Sequence, residues 1–175
     1  AYFGEARFGW SPGMIGASLG AFGVSLAIVQ GGLIRYILAW LGERGAVIYG
    51  HMADVAVFLL IGLTSSGLWL LILTPLAALP AVITPALQGI MSKAVDDNQQ
   101  GELQGALTSV SALAMIISPM LMTYVFYSFA GSEAPVYLPG APFFLSAMLM
   151  ALGLMVFLRA GNIATSRDVT GEHQP

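Results

Sequence analysis

The stretch from Val55 to Ser92, VAVFLLIGLTSSGLWLLILTPLAALPAVITPALQGIMS, contains no charged residue. A helix needs about 20 apolar residues to cross a lipid bilayer, so this stretch is too long for a single crossing. The polar cluster Thr64-Ser65-Ser66-Gly67 interrupts it and has the composition of a turn. The sequence therefore predicts two membrane-spanning helices that are joined at this cluster.

The remaining charge-free stretches are also long enough to span a membrane. They run from Ser11 to Ile34, from Leu103 to Ser132 and from Ala134 to Leu158. Together they predict an all-α membrane protein with about five transmembrane helices, at 12–38, 46–64, 68–92, 106–129 and 141–158. We interpret residues 1–11 as the end of a preceding helix and an extracytoplasmic loop. The polar residues 159–175 are predicted to be a disordered cytoplasmic tail.

The composition supports the membrane class and excludes several others. Of the 175 residues, 57% are hydrophobic and only 9% are charged, whereas soluble domains carry about 25% charged residues. No basic run is present, so we expect no nucleic-acid partner. The chain has no cysteine, and we expect no metal site and no cofactor. It opens at Ala1 without a signal peptide, which we interpret as the truncation of a longer protein.

The positions of lysine and arginine predict the orientation. If five helices alternate in direction, Arg7 is the one basic residue on its side of the membrane. The other side holds the remaining five, which are Arg35, Arg44, Lys93, Arg159 and Arg167. Because cytoplasmic loops are enriched in basic residues, we expect the start of the chain outside the cell and its end in the cytoplasm.

Asp54 is predicted to lie inside the membrane. If its helix begins near Ala46, Asp54 is about 12 Å below the cytoplasmic boundary, in a hydrocarbon core about 30 Å thick. A charge at that depth costs at least about 2.5–3.5 kcal/mol, and intramembrane acids usually mark ion or substrate pathways. Asp54 is therefore a candidate to carry a proton or to bind a cationic group. The alternative is a neutral carboxyl that hydrogen-bonds a neighbouring helix.

Four further polar residues are candidates to line a binding cavity. His51 lies one helical turn before Asp54 and could form a proton relay with it, although its shallow position favours an interpretation in which it faces headgroup water. Gln30 is predicted near the depth of Asp54, where its amide serves either a ligand or an interhelical hydrogen bond. Thr84 and Gln88 are one turn apart on the third predicted helix.

Two connections carry further signals. Leu41-Gly42-Glu43-Arg44 is predicted to be a tight turn, because glycine takes the positive φ that such turns need. Before the fourth helix, Asp97 and Gln100 have the spacing of a capping box, although a plain solvated loop explains them equally well.

The connection after the third helix resembles a known family. Residues 85–105, PALQGIMSKAVDDNQQGELQG, are similar to the tenth helix and following loop of the tetracycline-exporter branch of the major facilitator superfamily. Residues 3–10, FGEARFGW, resemble the segment that leads into its eighth helix. The positions of Gln30 and of the 41–44 turn agree with this resemblance. It implies the C-terminal half of a twelve-helix bundle, containing helices eight to twelve.

The resemblance also implies roles for individual residues. Asp54 matches the acidic residue of helix nine, which takes part in proton-coupled export. Gly42 and Arg44 match a degenerate copy of the superfamily's cytoplasmic loop motif. Three residues depart from the family pattern: Arg35 and Ala39, where that motif has its leading glycine and an acidic residue, and Leu26, where tetracycline exporters carry histidine. The loop residues with an implied part in gating are Gly42, Arg44, Asp96, Gly101 and Gln104.

The implied function is proton-coupled export of a small amphiphilic, drug-like compound across the bacterial inner membrane by alternating access. The implied partners are a missing N-terminal half, the substrate, protons and the lipid bilayer. One alternative is a membrane scaffold or binding subunit without transport. A membrane-embedded enzyme that uses His51 and Asp54 is a weaker alternative, because the sequence contains no nucleophile motif. We therefore expect no enzymatic activity.

Overall fold

A computed structural model describes residues 2–131, 134 and 136–170, with the backbone alone for Tyr2 and residues 162–170. All the regular elements in these residues are helical, which confirms the all-α class. The α-helices are α1 (Tyr2–Phe8), α2 (Pro12–Ile28), α3 (Ile34–Leu63), α4 (Gly67–Leu76), α5 (Ile83–Lys93), α6 (Gln100–Ala130) and α7 (Ala141–Thr170). A π-helical turn, Val29–Leu33, joins α2 to α3, and 3₁₀ turns at Leu79–Val82 and Asp97–Gln99 precede α5 and α6.

Four helical stretches in the described residues are long and apolar enough to cross a membrane. They are Pro12–Leu63, Gly67–Lys93, Asp97–Ala130 and Ala141–Gly161. The first contains 52 residues, about 78 Å of helix, which is more than twice the hydrocarbon thickness of about 30 Å. Gly42 interrupts it with a φ of 66°, a conformation that glycine adopts without steric cost. The stretch therefore holds two spans, and the described residues form five in total.

The contacts between helices show that successive spans alternate in direction. The first and third spans run the same way, because Gly67 at the start of α4 lies against Trp10, just before α2, and the turns that follow α2 and α4 contact each other. The part of α3 after Gly42 runs the opposite way, because Glu43 lies against Gly89 at the end of α5. The α7 helix is antiparallel to this part of α3, since Gly62 contacts Phe144 and Arg44 lies against Gly161. The chain thus folds back at each connection.

The two ends of the bundle differ in chemistry. We call the end that carries Gly42, Lys93 and Gly161 the basic end, and the opposite end, with Trp10 and Phe143, the aromatic end. Each end has its own buried cluster. The cluster at the aromatic end consists of Phe3, Val57, Ile61, Leu70 and Leu73. The cluster nearer the basic end consists of Ala46, Val47, Val82 and Ala86.

One side of the bundle is open. No residue of α6 is buried, and its main helical neighbour is α7. Much of α2 is also exposed, and a Cβ at Gly16, Gly20 or Gly23 would meet nothing within 4 Å. These two helices therefore present long apolar faces that no described part of the chain covers.

Several helix ends differ from the predicted ones. The third predicted helix, 68–92, is interrupted between Leu76 and Ile83, where Pro75 and Pro80 remove backbone donors. Pro119, by contrast, lies inside an uninterrupted α6. The fourth helix begins at Gln100 and not at 106, because the polar residues before the apolar stretch continue the same helix.

The last helix also exceeds its predicted length. The α7 helix extends to Thr170 and not only to 158. The segment predicted to be a disordered tail is therefore helical as far as Thr170. Residues 159–170 contain no proline, so the helix that α7 begins in the apolar stretch is free to continue. Residues 171–175 of the predicted tail lie outside the described residues.

Candidate functional site

Asp54 lies on the second span, in the part of α3 that packs against α5 and α7. Its side chain is half-buried, on the face of α3 that also carries the buried residues Val57 and Ile61. His51 is close enough to interact with it electrostatically. Among the described residues, the Asp54 carboxyl has no hydrogen bond and no ion pair. The described part of the chain therefore offers no interhelical hydrogen bond that would explain this acid as a purely structural one.

His51 is buried, with only 7% of its surface exposed. The interpretation that it faces headgroup water was therefore wrong. Its Nδ1 lies 2.9 Å from the carbonyl oxygen of Val47, and because a carbonyl can only accept, Nδ1 carries the proton. Nε2 faces α7 at Gly153, where a Cβ would lie 3.3 Å away. His51 is buried because α7 crosses α3 at a residue that has no side chain.

The other three predicted cavity residues lie on exposed surfaces. Gln30 is exposed in the π-helical turn Val29–Leu33, and such turns occur frequently at functional sites. Thr84 and Gln88 are exposed one turn apart on α5, whereas Ala86 between them is buried. No hydrogen bond joins these residues to one another or to Asp54 within the described part of the chain. Among the described residues, Thr84 and Gln88 therefore share one exposed face of α5, and Gln30 is exposed on the turn between α2 and α3.

The turn at the basic end contacts two other helices. Gly42 makes the turn, and the following Glu43 carboxylate accepts a hydrogen bond from Lys93 Nζ at 2.8 Å. The Arg44 guanidinium lies so close to Gly161 that a side chain at this position would have to displace it. Sequence reasoning identified Gly42 and Arg44 but missed the Glu43–Lys93 pair, although the opposite charges were a usable signal.

Gln100 organises the connection before α6 through contacts that the sequence did not predict. The Gln100 amide donates to the carbonyl oxygens of Ser92 at 2.7 Å and of Val95 at 3.4 Å, and its Oε1 accepts from Ser92 Oγ at 2.9 Å. It therefore caps the end of α5, and neither a capping box with Asp97 nor a plain solvated loop describes it. The predicted gating residues of this connection, Asp96, Gly101 and Gln104, are exposed.

Metal ligands do not cluster in the described residues: no group of three histidine, cysteine, aspartate or glutamate side chains there could hold an ion. Amide, hydroxyl and imidazole side chains such as those of Gln30, Thr84 and His51 can form hydrogen bonds.

Comparison with known proteins identifies close sequence relatives. No protein-family profile matches the chain, and no solved structure matches it. The class E tetracycline resistance protein of Escherichia coli is 41% identical over 71% of this chain. The class C protein of Escherichia coli is 35% identical over 74% of it, and the class D protein of Salmonella ordonez is 31% identical over 93%.

These matches cover only part of the relatives. The aligned region amounts to 31% of the class E protein, 33% of the class C protein and 41% of the class D protein. The chain thus spans about a third of the length of the curated relatives that it matches. The matches agree with the all-helical, membrane-spanning architecture and with the resemblance at residues 85–105. The chain belongs to the tetracycline-exporter-like branch of the major facilitator superfamily, as a segment about a third as long as its relatives.

Proposed function

We propose that the chain is the C-terminal half of a secondary transporter that exports small amphiphilic, tetracycline-like compounds in exchange for protons. The observation that carries the proposal is Asp54, an acid without a hydrogen-bonding partner among the described residues, inside a membrane-spanning helix. An intramembrane acid is costly and usually functional. The similarity to tetracycline resistance proteins supports the substrate class. We propose a transporter and not an enzyme.

The proposed role of Asp54 is to couple the export of the compound to the import of protons. Its carboxyl takes up a proton when the cavity opens to the acidic outside, and it releases the proton when the cavity opens to the cytoplasm. Substrate binding in the inward-open state favours that release, so each compound exported is linked to a proton imported. His51, which is buried one turn away and interacts electrostatically with Asp54, is proposed to exchange that proton with it.

The proposed substrate cavity lies between this half and an N-terminal half. The exposed Gln30, Thr84 and Gln88 are polar side chains within spans, and such residues generally face a cavity or another helix and not lipid. The uncovered faces of α2 and α6 provide a surface for the second half. Transporter sites commonly lie near the midplane between two repeats, which agrees with this arrangement.

The loops at the basic end are proposed to control the inward-facing gate. We place this end in the cytoplasm of a bacterial cell, with the start of the chain outside, because it carries most of the basic residues. Rocking of the two halves would make and break contacts of the loop residues there. The residues concerned are Gly42, Arg44, Asp96, Gly101 and Gln104.

The export activity is tested with inside-out membrane vesicles that contain the protein in its natural full length. When respiration acidifies the vesicle lumen, we expect radiolabelled tetracycline to accumulate, and an ionophore that collapses the pH gradient should release it. Vesicles without the protein serve as the control. Accumulation that equals the control, or that persists after the gradient has collapsed, would contradict proton-coupled export.

A further inference from the structure

The two ring nitrogens of His51 have different surroundings. Nδ1 lies 2.9 Å from the carbonyl oxygen of Val47 and donates its proton to it. In this neutral form of the ring, Nε2 carries a lone pair and no proton. Val47 is fully buried and lies on the same helix, so its carbonyl holds both the tautomer and the orientation of the imidazole. Any further proton that the ring takes up must therefore bind at Nε2.

An opening reaches Nε2 although the ring as a whole is buried. Nε2 has no hydrogen bond to any described residue. In the described part of the chain, every fully enclosed side-chain nitrogen or oxygen has a hydrogen-bond partner. Nε2 is therefore not fully enclosed, and the small exposed part of His51 includes this atom. The imidazole is thus a buried ring that can be protonated at one accessible nitrogen.

Gly153 on α7 leaves the space in front of this nitrogen. A Cβ at position 153 would lie 3.3 Å from Nε2 and 3.6 Å from the neighbouring ring carbon Cδ2. The contact between α3 and α7 is the most extensive between any two helices of the described chain. Gly62 and Phe144 meet farther along the same interface, so packing on both sides holds position 153 against the ring. Any larger residue at 153 would therefore obstruct Nε2.

Asp54 is the charged group that interacts with His51 in this part of the bundle. It lies one turn farther along α3 and acts on the imidazole electrostatically. The apolar stretches packed against this part of α3 bring no other charge, because residues 55–92 and 134–158 contain none. Tyr49, the nearest other titratable side chain on α3, is exposed. The imidazole and the Asp54 carboxyl are therefore the pair that can exchange a proton here.

We propose that Gly153 is a positioning residue for proton transfer, because it keeps Nε2 of His51 open as the nitrogen that takes up and releases the proton. When Nε2 binds a proton, the ring becomes an imidazolium and keeps its Nδ1 bond to Val47. When Nε2 releases that proton, the neutral ring returns. This role rests on the proposed function, in which His51 exchanges a proton with Asp54, and it adds a residue of α7 that acts through the imidazole.

Deuterium exchange at the ring carbon between the two nitrogens tests the opening without any transport. This C2 hydrogen exchanges with heavy water at a rate that depends on the access of water to the imidazole, and mass spectrometry of the peptide that contains position 51 isolates it. For the full-length protein in lipid nanodiscs, we expect Gly153→Ala to slow this exchange several-fold. Ala151→Val, which enlarges an exposed side chain of the same helix, is the matched control and should leave the rate unchanged. An unchanged rate in Gly153→Ala would overturn the proposal.

Proton flux tests whether the open nitrogen serves the coupling. In liposomes that contain the full-length protein and a pH-sensitive dye, Gly153→Ala should lower the maximal tetracycline-driven flux several-fold and leave the KM for tetracycline unchanged. In a His51→Gln background, where Asp54 remains, Gly153→Ala should cause no further loss, because the imidazole is absent.

The flux also separates a positioning role from a purely structural one. A structural role of Gly153 would lower the flux by the same factor in both backgrounds, and that result would overturn the proposal. If the natural protein itself carries no such flux, the proposed export function fails. The deuterium exchange then still shows whether Gly153 keeps Nε2 open, because that measurement needs no transport.

Discussion

Lys93 Nζ lies 2.8 Å from Glu43 Oε1, so an ion pair joins the end of α5 to the turn between the first two spans. The two residues are far apart in the sequence, and their side chains are 72% and 29% exposed, respectively. The Glu43 carboxylate reaches this position because Gly89 on α5 has no side chain to block it. The pair therefore holds three successive spans together at the basic end.

Charge exchange tests this pair. Lys93→Glu places two carboxylates side by side and should lower the free energy of unfolding by about 0.5–1 kcal/mol, since exposed ion pairs contribute little. The double variant Glu43→Lys with Lys93→Glu should recover most of that loss. Thermal unfolding of the detergent-solubilised protein measures both. If the double variant is as unstable as the sum of the single variants, the two side chains do not interact.

The close approach of α3 and α7 at Gly153 predicts a steric effect. Gly153→Leu introduces a side chain at a place where even a Cβ comes 3.3 Å from His51 Nε2. We expect a loss of about 1–3 kcal/mol from overpacking. In a His51→Ala background the added leucine has room, so the loss should be clearly smaller. The unfolding midpoints of the natural protein, the two single variants and the double variant measure these losses. Equal losses in both backgrounds would mean that the His51 side chain does not contact position 153.

The hydrogen bonds of Gln100 predict a local effect on the connection between α5 and α6. Gln100→Ala removes the donor to Ser92 and Val95 and should destabilise the connection by about 1 kcal/mol. Amide hydrogen exchange across residues 94–99 should become several-fold faster. Gln99→Ala is the matched control, because Gln99 is an exposed neighbour. Equal amide exchange rates in the two variants would contradict the role of Gln100 as the cap of α5.

The proposed orientation predicts which residues are reached from outside the cell. The chain contains no cysteine. A single introduced cysteine is therefore the one labelling site, once any cysteines elsewhere in the full-length protein have been replaced. A membrane-impermeant maleimide should label Ser11→Cys in intact cells, whereas Asp97→Cys should react only after permeabilisation. The reverse pattern would invert the orientation.

Much of the architecture could be predicted from the distribution of charge. The charge-free stretches and the Thr64–Gly67 cluster indicated the spans, because lipid excludes charged side chains over a fixed thickness. Helix ends were less predictable. Polar residues such as Gln100 can extend a helix beyond the membrane, and prolines break a helix at one position, Pro80, and not at another, Pro119.

The candidate site could be predicted as a set of residues but not as an arrangement. Asp54 stood out because an acid is rare in an apolar stretch. The burial of His51 depends on Gly153, which is distant in the sequence, and no local pattern reports such a contact.

The most direct test of the account is proton exchange by an Asp54→Asn variant of the full-length protein, reconstituted into liposomes with a pH-sensitive dye inside. The substitution keeps the size and polarity of the side chain but removes its ability to carry a proton. Asp97→Asn, which changes an exposed acid in the turn that precedes α6, is the matched control. We predict that Asp54→Asn abolishes tetracycline-driven proton flux while Asp97→Asn keeps it. Undiminished flux in Asp54→Asn would contradict the central role of this carboxyl.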